Sequence, residues 1–267
     1  MKVRLDQLLV DRGLFETREK AKRGIISGIV YIEGYQSLKP GTRVEEDVEI
    51  VVKGKKEVFP YVSRGGLKLE KALLKFNIPV KGRIALDIGA STGGFTDCLL
   101  HFGAKRVYAI DVGYGQLDWG LRNDPRVIVR ERINARYLTE EIVNEKVDIV
   151  TMDVSFISVT KIIPSVKPFL KEGGDLIILI KPQFEAGKGE AKKGVIRDPI
   201  VHKRIIMDLG DNCKREHLEP CGITWSPIKG PKGNIEFLLW CKYKEECTLN
   251  IEDYVETIVE EAHRALG

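Results

Sequence analysis

The stretch from Ile84 to Phe95 has the composition of a ligand-binding turn between a strand and a helix. A short apolar run ends at Asp87, and several glycines follow before a helix-like segment begins at Phe95. Because glycine has no Cβ, such a turn allows backbone N–H groups to come close to a ligand. We therefore expect ligand contacts from Asp87, Gly89, Ala90, Ser91, Gly93, Gly94 and Phe95.

The spacing of these glycines indicates which ligand the turn could hold. A phosphate-binding P-loop needs Lys and then Ser or Thr after its last glycine, but Phe95 and Thr96 follow Gly94 here. A dinucleotide-binding loop needs the pattern G-x-G-x-x-G, and Ser91 stands in place of its second glycine. An acidic residue followed by glycines suits a ligand that carries a cation and no phosphate, and S-adenosylmethionine fits that description. The alternative is a tight turn that binds no ligand.

The segments around this turn alternate between strand and helix patterns from Arg83 onward. The predicted strands are 84–87, 106–111, 127–131, 147–153, 175–181, 221–225 and 235–241. A long helix over about 199–214 precedes the last two strands, and an amphipathic helix over 251–266 closes the chain. This alternation predicts an α/β fold with a doubly wound sheet, and the short connection between the last two strands predicts an antiparallel hairpin at one edge. The layout resembles that of class I methyltransferases.

Charged residues end four of the predicted strands, namely Asp87, Asp111, Asp153 and Lys181. Because open parallel sheets bind ligands at the carboxyl ends of their strands, we expect these side chains to share one edge. Asp111 follows Gly89 by 22 positions, where an acidic residue commonly accepts hydrogen bonds from ribose hydroxyls. Asn134, just after the third strand, is placed to meet an adenine edge, although an ordinary loop asparagine is an equal alternative. Each charged strand end, taken alone, could also be solvated.

Three charged side chains admit a simpler structural explanation when only the local pattern is considered. Lys68 lies on a predicted helix together with Lys71 and Lys75, which is typical of a solvent-exposed basic face. Glu236 lies within a predicted edge strand and could face water. Lys181 follows an apolar strand and could extend its ammonium group to solvent while its stem stays buried.

The first 52 residues combine two short helical patterns with short strand patterns. The second helix, predicted over 18–26 after the N-cap Thr17, concentrates cations that only Glu19 offsets. Contacts with phosphates need such a cluster, whereas a solvated helix face is the simpler alternative. The candidate RNA-binding residues are Arg4, Arg18, Lys20, Lys22 and Arg23.

This segment resembles the small RNA-binding module first described in ribosomal protein S-four, which is also called the alpha-L motif. The matching stretches are residues 4–6, 18–21 and 28–32. The resemblance implies that two helices and a following hairpin hold structured RNA. A polar stretch at 53–57 predicts a linker, so we expect an RNA-binding domain over 1–58 and a second domain over 59–267.

The whole chain resembles the TlyA family of bacterial methyltransferases, whose catalytic domain is related to the FtsJ ribose methyltransferases. The matching stretches are 63–69, 87–95, 153–158, 181–185 and 233–236, and they occur in the family's order. The resemblance implies that the family's Lys-Asp-Lys-Glu set falls on Lys68, Asp153, Lys181 and Glu236. It therefore replaces the solvent-exposed interpretation of Lys68 and Glu236.

The resemblance also implies a reaction, in which a methyl group passes from S-adenosylmethionine to a ribose 2′-hydroxyl of ribosomal RNA. The RNA could be free or assembled into a ribosomal subunit, and no metal is required. Lys181 would be the base, and burial together with the like charge of Lys68 would help it to lose its own proton. Asp153 would orient Lys181 or the hydroxyl, and Glu236 would position Lys68 or the ribose.

Composition bounds the remaining possibilities. No apolar run approaches the roughly 20 residues of a membrane-spanning helix, and the N-terminus lacks an apolar signal core. The five cysteines are odd in number and include no C-x-x-C pair, which argues against a disulfide framework or a zinc site. The net charge is only +4, so a nucleic-acid partner must be argued from where the charges lie. We expect a cytoplasmic protein without stable membrane association.

Two other functions stand as alternatives to methyl transfer. Members of the family have been called hemolysins, so a cytotoxin that acts on membranes is the first. It would need a signal, a spanning segment or a lytic amphipathic helix, and the predicted tail helix is short and acidic. A non-catalytic ribosome-binding assembly factor is the second, and it would have no need of Lys68 and Lys181.

Overall fold

A computed structural model of the chain describes residues 2–26, 29–32, 38–52, 60–187, 189–191, 193–247 and 250–267, without the side chain of Arg23. The chain divides into two compact units, Met1–Phe59 and Pro60–Gly267. The predicted linker at 53–57 and Gly28 of the alpha-L stretch lie outside the described residues.

The described residues of the first unit form two helices and two antiparallel strand pairs. Helix α1 spans Leu5–Asp11 and helix α2 spans Arg18–Ile26. The bounds of α2 are those predicted from the sequence. The strands are β1 Lys2–Arg4, β2 Val30–Ile32, β3 Arg43–Glu45 and β4 Ile50–Val52. Strand β1 pairs with β3, and β2 pairs with β4. The three-residue strands β1 and β3 are too short for their alternation to stand out in the sequence.

A seven-stranded sheet forms the centre of the second unit. Its strands are β5 Ile84–Ile88, β6 Arg106–Asp111, β7 Val127–Glu131, β8 Val147–Met152, β9 Leu170–Ile180, β10 Leu218–Trp225 and β11 Phe237–Tyr243. They lie in the order β10-β11-β9-β8-β5-β6-β7. Strand β5 pairs in parallel with β6 and β8, whereas β11 runs antiparallel to both β9 and β10. The predicted antiparallel hairpin at one edge of the sheet is therefore confirmed.

Helices cover both faces of this sheet. They are α3 Gly65–Lys75, α4 Gly94–His101, α5 Trp119–Arg122, α6 Ile163–Val166, α7 Pro182–Glu185, α8 Pro199–Arg215 and α9 Val255–Leu266. Successive residues of β5 alternate between two apolar clusters, because side chains along a strand point to opposite faces. Leu86 packs in the cluster that includes residues of α8 and α9, and Ala85 packs in the cluster that includes residues of α3 and α4. The predicted doubly wound α/β fold is confirmed.

Strand β9 begins at Leu170, earlier than the predicted start at 175. Its first part is polar and contains Gly173 at φ +71°, so the apolar pattern that identifies a buried strand is missing there. The pairing of β8 with β9 shifts register between Val147 and Ile149, which accommodates the additional residues of β9.

One disulfide joins Cys221 of β10 to Cys247, and their Cα atoms lie 5.3 Å apart. The odd number of cysteines argued against a disulfide framework, and it did not indicate this single bond. The two residues are separated by 26 positions, and the β10–β11 hairpin brings them together, which spacing alone could not reveal. Within the described ranges, no group of three or more His, Cys, Asp or Glu side chains could hold a metal ion.

A buried histidine pair joins α8 to the C-terminal helix α9. His202 is fully buried, and its Nδ1 lies 2.9 Å from Nε2 of His263. Burial, reinforced by the neighbouring His263, lowers the pKa of His202 to about 4. An unfolded histidine has a pKa of about 6.5. The unfolded chain therefore binds a proton that the folded chain does not bind when the pH lies between these two values.

We expect His202 to contribute a loss of stability that begins below about pH 6.5 and is complete near pH 4. The shift corresponds to about 3 kcal/mol at most. Urea unfolding at a series of pH values should show a shallower acid loss for His202→Gln than for the unchanged protein. His217→Asn is the matched control, because His217 is exposed and has a positive φ that Asn tolerates. Equal acid slopes for His202→Gln and the unchanged protein would contradict the assignment.

Candidate active site

The glycine-rich turn connects the end of β5 to the start of α4. Gly89 and Gly93 have φ values of +83° and +99°, which favour glycine. A Cβ on Gly89 would lie 2.5 Å from the backbone oxygen of Asp153, so no other residue fits there without displacing the chain at the end of β8. The sequence folds into this turn because its glycines allow both the dihedral angles and the close approach.

Asp87 lies beneath this turn. It is fully buried, and its two carboxylate oxygens accept hydrogen bonds from the hydroxyl groups of Thr96 and Thr151, at 2.7 and 2.8 Å. Burial raises the pKa of Asp87 to about 7, and the two threonine hydrogen bonds oppose that rise. These two hydrogen bonds join α4 to β8, and the expected ligand contact from Asp87 stays a prediction.

A cavity of about 210 Å³ opens above the turn. It is lined by Ser63, Gly65, Lys68, Gly89, Ala90, Ser91, Thr92, Gly94, Phe95 and Asp153. Five of the seven residues predicted from the turn line it, whereas Asp87 and Gly93 do not. Sequence reasoning missed Ser63, Gly65 and Thr92 as lining residues. The only signal for the first two was their place in the stretch 63–69 that resembles the TlyA family.

The predicted nucleoside-binding residues follow β6 and β7. Asp111 accepts hydrogen bonds from the backbone N–H groups of Ser91 and Gly113, at 2.7 and 2.6 Å, so it joins the end of β6 to the glycine-rich turn. Asn134 is exposed, and its side-chain oxygen accepts from the backbone N–H of Arg136 at 3.1 Å. Neither residue lines the cavity above the turn, but Asp111 contacts its wall through Ser91.

Four charged side chains form two buried ion pairs beside this cavity. Nζ of Lys68 lies 2.6 Å from Oε2 of Glu236, and Nζ of Lys181 lies 2.6 Å from Oδ1 of Asp153. Lys181 also donates a hydrogen bond of 2.8 Å to Oγ of Ser155. Lys68, Lys181 and Glu236 expose 9%, 8% and 0% of their surface. The solvent-exposed explanations for these three residues are therefore wrong.

The local pattern predicted a solvent-exposed Lys68 because it rested only on the charged residues of α3. Lys68 directly precedes Leu69, and both are buried together with Ala72 on the side of α3 that faces the core. Lys75, by contrast, is exposed. The position of a charge on a helix face did not reveal that Glu236, which is 168 residues away, lies opposite Lys68.

The electrostatics of Glu236 couple the two ion pairs. Burial raises the pKa of Glu236. Lys68 and, to a smaller extent, Lys181 lower this pKa, whereas Asp153 raises it. No described residue donates a hydrogen bond to Oε1 of Glu236. Glu236 therefore compensates the charge of Lys68 at a contact of 2.6 Å.

Acidic partners contact the four candidate RNA-binding cations whose side chains the structure describes, which leaves Arg23 aside. Arg4 and Arg18 both donate to the fully buried carboxylate of Asp6, at 3.0 and 2.9 Å. The hydrogen bond from Arg4 is the largest influence that lowers the pKa of Asp6 to about 2. The remaining described pairs are Lys20 with Glu16 and Lys22 with Glu19. The expectation that only Glu19 offsets these cations is therefore wrong.

An exposed aromatic ring lies close to Lys181. Phe156 exposes 90% of its surface and has a φ of +65°, which is unusual for a bulky side chain. Its ring centroid lies 5.1 Å from that of Phe184 on α7. Phe156 directly follows Ser155, the hydrogen-bond partner of Lys181. Sequence reasoning did not single out Phe156, since an aromatic residue after a strand usually belongs to the core.

Comparison with protein families gives two matches along the chain. The model of the FtsJ-like methyltransferases matches residues 61–243, and the model of the S4 domain matches residues 3–50. The first match covers the sheet, the glycine-rich turn and both ion pairs. The second covers both helices and strands β2 and β3 of the first unit, together with parts of β1 and β4.

Individual relatives extend the likeness over the whole chain. YqxC of Bacillus subtilis, named as a candidate rRNA methyltransferase, is 49% identical over 99% of this chain and 95% of its own length. The 16S/23S rRNA (cytidine-2′-O)-methyltransferase TlyA of Mycobacterium tuberculosis is 42% identical, and the match covers 100% of this chain and 98% of the relative. The solved structure of a candidate hemolysin from Streptococcus thermophilus is 42% identical and superposes with a TM-score of 0.76. The match covers 99% of this chain and 96% of the hemolysin chain.

Proposed function

This chain belongs to the FtsJ-like methyltransferase family, and from that membership we propose that it methylates a ribose 2′-hydroxyl of ribosomal RNA. The observation that carries the proposal is the pair of buried ion pairs beside the glycine-rich cavity. Buried charges are expensive unless they are paired, and a structural core has no need of four of them at the carboxyl ends of a parallel sheet. The TlyA relative is named for the same reaction on cytidine.

The methyl donor is S-adenosylmethionine, and the residues of the turn suit it. The wall of the cavity includes three glycines, Gly65, Gly89 and Gly94, which leave backbone exposed where a Cβ would fill the space. Asp153 lines this cavity and suits a ligand with a positive charge, and Asp111 contacts the cavity wall through Ser91. We infer that residues 89–95, Asp111, Asn134 and Asp153 would hold it. When bound, it supplies a methyl group already activated by a sulfonium.

Lys181 would act as the base that takes the proton from the ribose hydroxyl at its Nζ. Asp153 and Ser155 hold that nitrogen in place through contacts of 2.6 and 2.8 Å. Alignment of the reactants and removal of one proton are the tasks left to the protein, because the methyl group is already activated. Lys68 would position the ribose, and the fully buried Glu236 would hold Lys68 in place and balance its charge.

The first unit would supply affinity for ribosomal RNA through Arg4, Arg18, Lys20, Lys22 and Arg23. The sequence match to an S4 domain supports this role. The described cations remain about half exposed although they have acidic partners, so a phosphate could compete for them. A substrate of this kind would place the protein in the cytoplasm, where ribosomes are assembled.

Phe156 supports contact with an unstacked nucleobase. Aromatic rings that stack on a base contribute about 1–3 kcal/mol by alanine substitution. We therefore expect Phe156→Ala to lower kcat/KM for ribosomal RNA roughly 5- to 150-fold, with S-adenosylmethionine affinity unchanged. Phe156→Tyr should keep most of the activity, because tyrosine offers the same ring face.

Ile200→Ala is the matched control for Phe156→Ala, because Ile200 is 76% exposed on α8. It should leave kcat/KM unchanged. Steady-state methyl transfer at varied RNA concentration measures all three variants. Full activity of Phe156→Ala would rule out a stacking role.

A methyl-transfer assay tests the proposed function against its alternatives. Isolated 16S and 23S RNA and ribosomal subunits are incubated with S-adenosylmethionine that carries a labelled methyl group, and red-cell lysis is measured in parallel. We expect label in RNA and no lysis. Lysis without labelled RNA would favour a membrane-acting protein, and RNA binding without label would favour an assembly factor. None of the described helices combines the length and the apolar composition needed to span a bilayer.

A further inference from the structure

We propose that a basic rim beside the ion pairs, formed by Lys193, Arg197, Lys229 and Lys232, binds the phosphate backbone of the RNA substrate next to the target nucleotide. This inference rests on the proposed function, because it names a second contact surface for the same substrate. It assigns to the methyltransferase unit an RNA affinity that does not depend on the cations of the first unit.

The four rim residues lie on two loops that one buried side chain holds together. Lys193 and Arg197 lie on the loop before α8, and Lys229 and Lys232 lie on the loop between β10 and β11. Asn234 exposes only 1% of its surface. Its side chain accepts from the backbone N–H of Ile196 at 3.1 Å and donates to the carbonyl groups of Gly194 and Pro231, both at 3.0 Å. The two loops are therefore fixed against each other.

The cations of the rim are exposed and have no acidic partner within the part of the chain that the structure describes. The acidic residues of the same two loops are all engaged elsewhere. Glu190 pairs with Arg204 at 2.7 Å, and Asp198 caps α8 by accepting from the backbone N–H of Ile200 at 2.9 Å. Glu236 is buried against Lys68. The rim thus presents uncompensated positive charge, which suits a polyanion.

The loop that carries Lys229 and Lys232 contacts Glu236, one member of the two ion pairs. Gly230, between Lys229 and Lys232, lies so close to Glu236 that a Cβ there would overlap Oε1. The backbone N–H of Ser226, at the start of the same loop, donates to the backbone carbonyl of Glu236 at 2.8 Å. A strand of RNA whose ribose reaches Lys181 would carry its neighbouring phosphates over this loop. Phosphate contacts position a nucleic acid without reading its sequence.

The test replaces all four rim cations by glutamine in the full-length protein. A charge-matched control replaces Lys81, Lys105, Lys146 and Arg215, which are also exposed and lie just before β5, β6, β8 and β10, at the opposite edge of the sheet. Both variants remove three lysines and one arginine. The measurements are KM and kcat for 16S and 23S RNA, and the salt dependence of binding to these RNAs.

We expect the rim variant to raise KM for RNA by roughly 10- to 100-fold and to keep kcat within about twofold. The slope of log affinity against log salt should fall by about one for each phosphate that the variant no longer binds. The control variant and the affinity for S-adenosylmethionine should remain unchanged. An unchanged KM and salt slope in the rim variant, or equal changes in both variants, would overturn the proposal.

The binding measurement also separates failure of the rim from failure of the proposed function. If the unchanged protein transfers no methyl group to RNA, the function fails, but the salt slopes of the two variants still decide whether the rim contacts RNA. If the unchanged protein is active and the rim variant behaves like the control, only the rim is refuted. Thermal unfolding of both variants checks that the loops remain folded.

Discussion

Lys181→Met is expected to reduce kcat by roughly 10²–10⁴-fold, which is the contribution typical of a general base. Methionine keeps the apolar stem of Lys181 and removes the group that accepts the proton. The fold should survive, because Asp153 exposes 22% of its side chain and water can take the place of the ammonium group beside it. Affinity for S-adenosylmethionine, measured by calorimetry, should remain within a few-fold of the unchanged protein.

Lys75→Met is the matched control for this substitution. Lys75 is an exposed lysine of α3 on the same methyltransferase unit, and its removal should change neither kcat nor stability. Single-turnover methyl transfer to ribosomal RNA is the measurement, since it separates chemistry from product release. A kcat for Lys181→Met within a few-fold of that of Lys75→Met would show that Lys181 is not the base.

Lys68→Met is expected to lower the free energy of unfolding by about 3–5 kcal/mol at pH 8, which is the cost typical of breaking a buried ion pair. The substitution leaves the fully buried Glu236 charged and without its partner. Lys68→Met combined with Glu236→Gln should recover most of this stability, because no uncompensated charge then remains. Urea unfolding of both single variants and the double variant measures the coupling.

The pH dependence of Lys68→Met gives this prediction a definite sign. Burial raises the pKa of Glu236, and Lys68 is the largest influence that opposes the rise. Without Lys68, the folded protein binds a proton more tightly than the unfolded chain does. The stability of Lys68→Met should therefore improve as the pH falls from 8 towards 6, whereas the double variant should show no such recovery. Additive effects of the two substitutions at pH 8 would contradict the pairing.

The elements that carry strong local patterns were predictable from the sequence. The bounds of α2, β6 and β7 agree with the predicted ranges, because their patterns begin and end at clear changes of composition. The start of β9 was not predictable, since its first residues are polar and pair through their backbones. The pairing of Cys221 with Cys247 depends on the hairpin between β10 and β11 and lies beyond any local signal.

The site was predictable in its chemistry more than in its contacts. The glycine-rich turn and the charged strand ends indicated a cationic ligand without phosphate, yet the pattern alone left Lys68 and Glu236 at the surface. Only the fold brings these two residues to 2.6 Å. The pattern of the turn also suggested a ligand contact for Asp87, but it did not reveal the hydrogen bonds that Thr96 and Thr151 donate to its carboxylate. Long-range pairing and burial decide such questions, and neither is local.

The most direct test of the central claim is to locate the methyl group on the RNA product. The unchanged protein and Lys181→Met are incubated with 16S and 23S RNA, free and in subunits, together with S-adenosylmethionine, and the products are mapped by alkaline hydrolysis. A methylated 2′-oxygen blocks cleavage of the adjacent bond, so we expect a protected nucleotide with the unchanged protein and no protection with Lys181→Met. A methyl group on a base, or equal protection with both proteins, would contradict ribose methylation by Lys181.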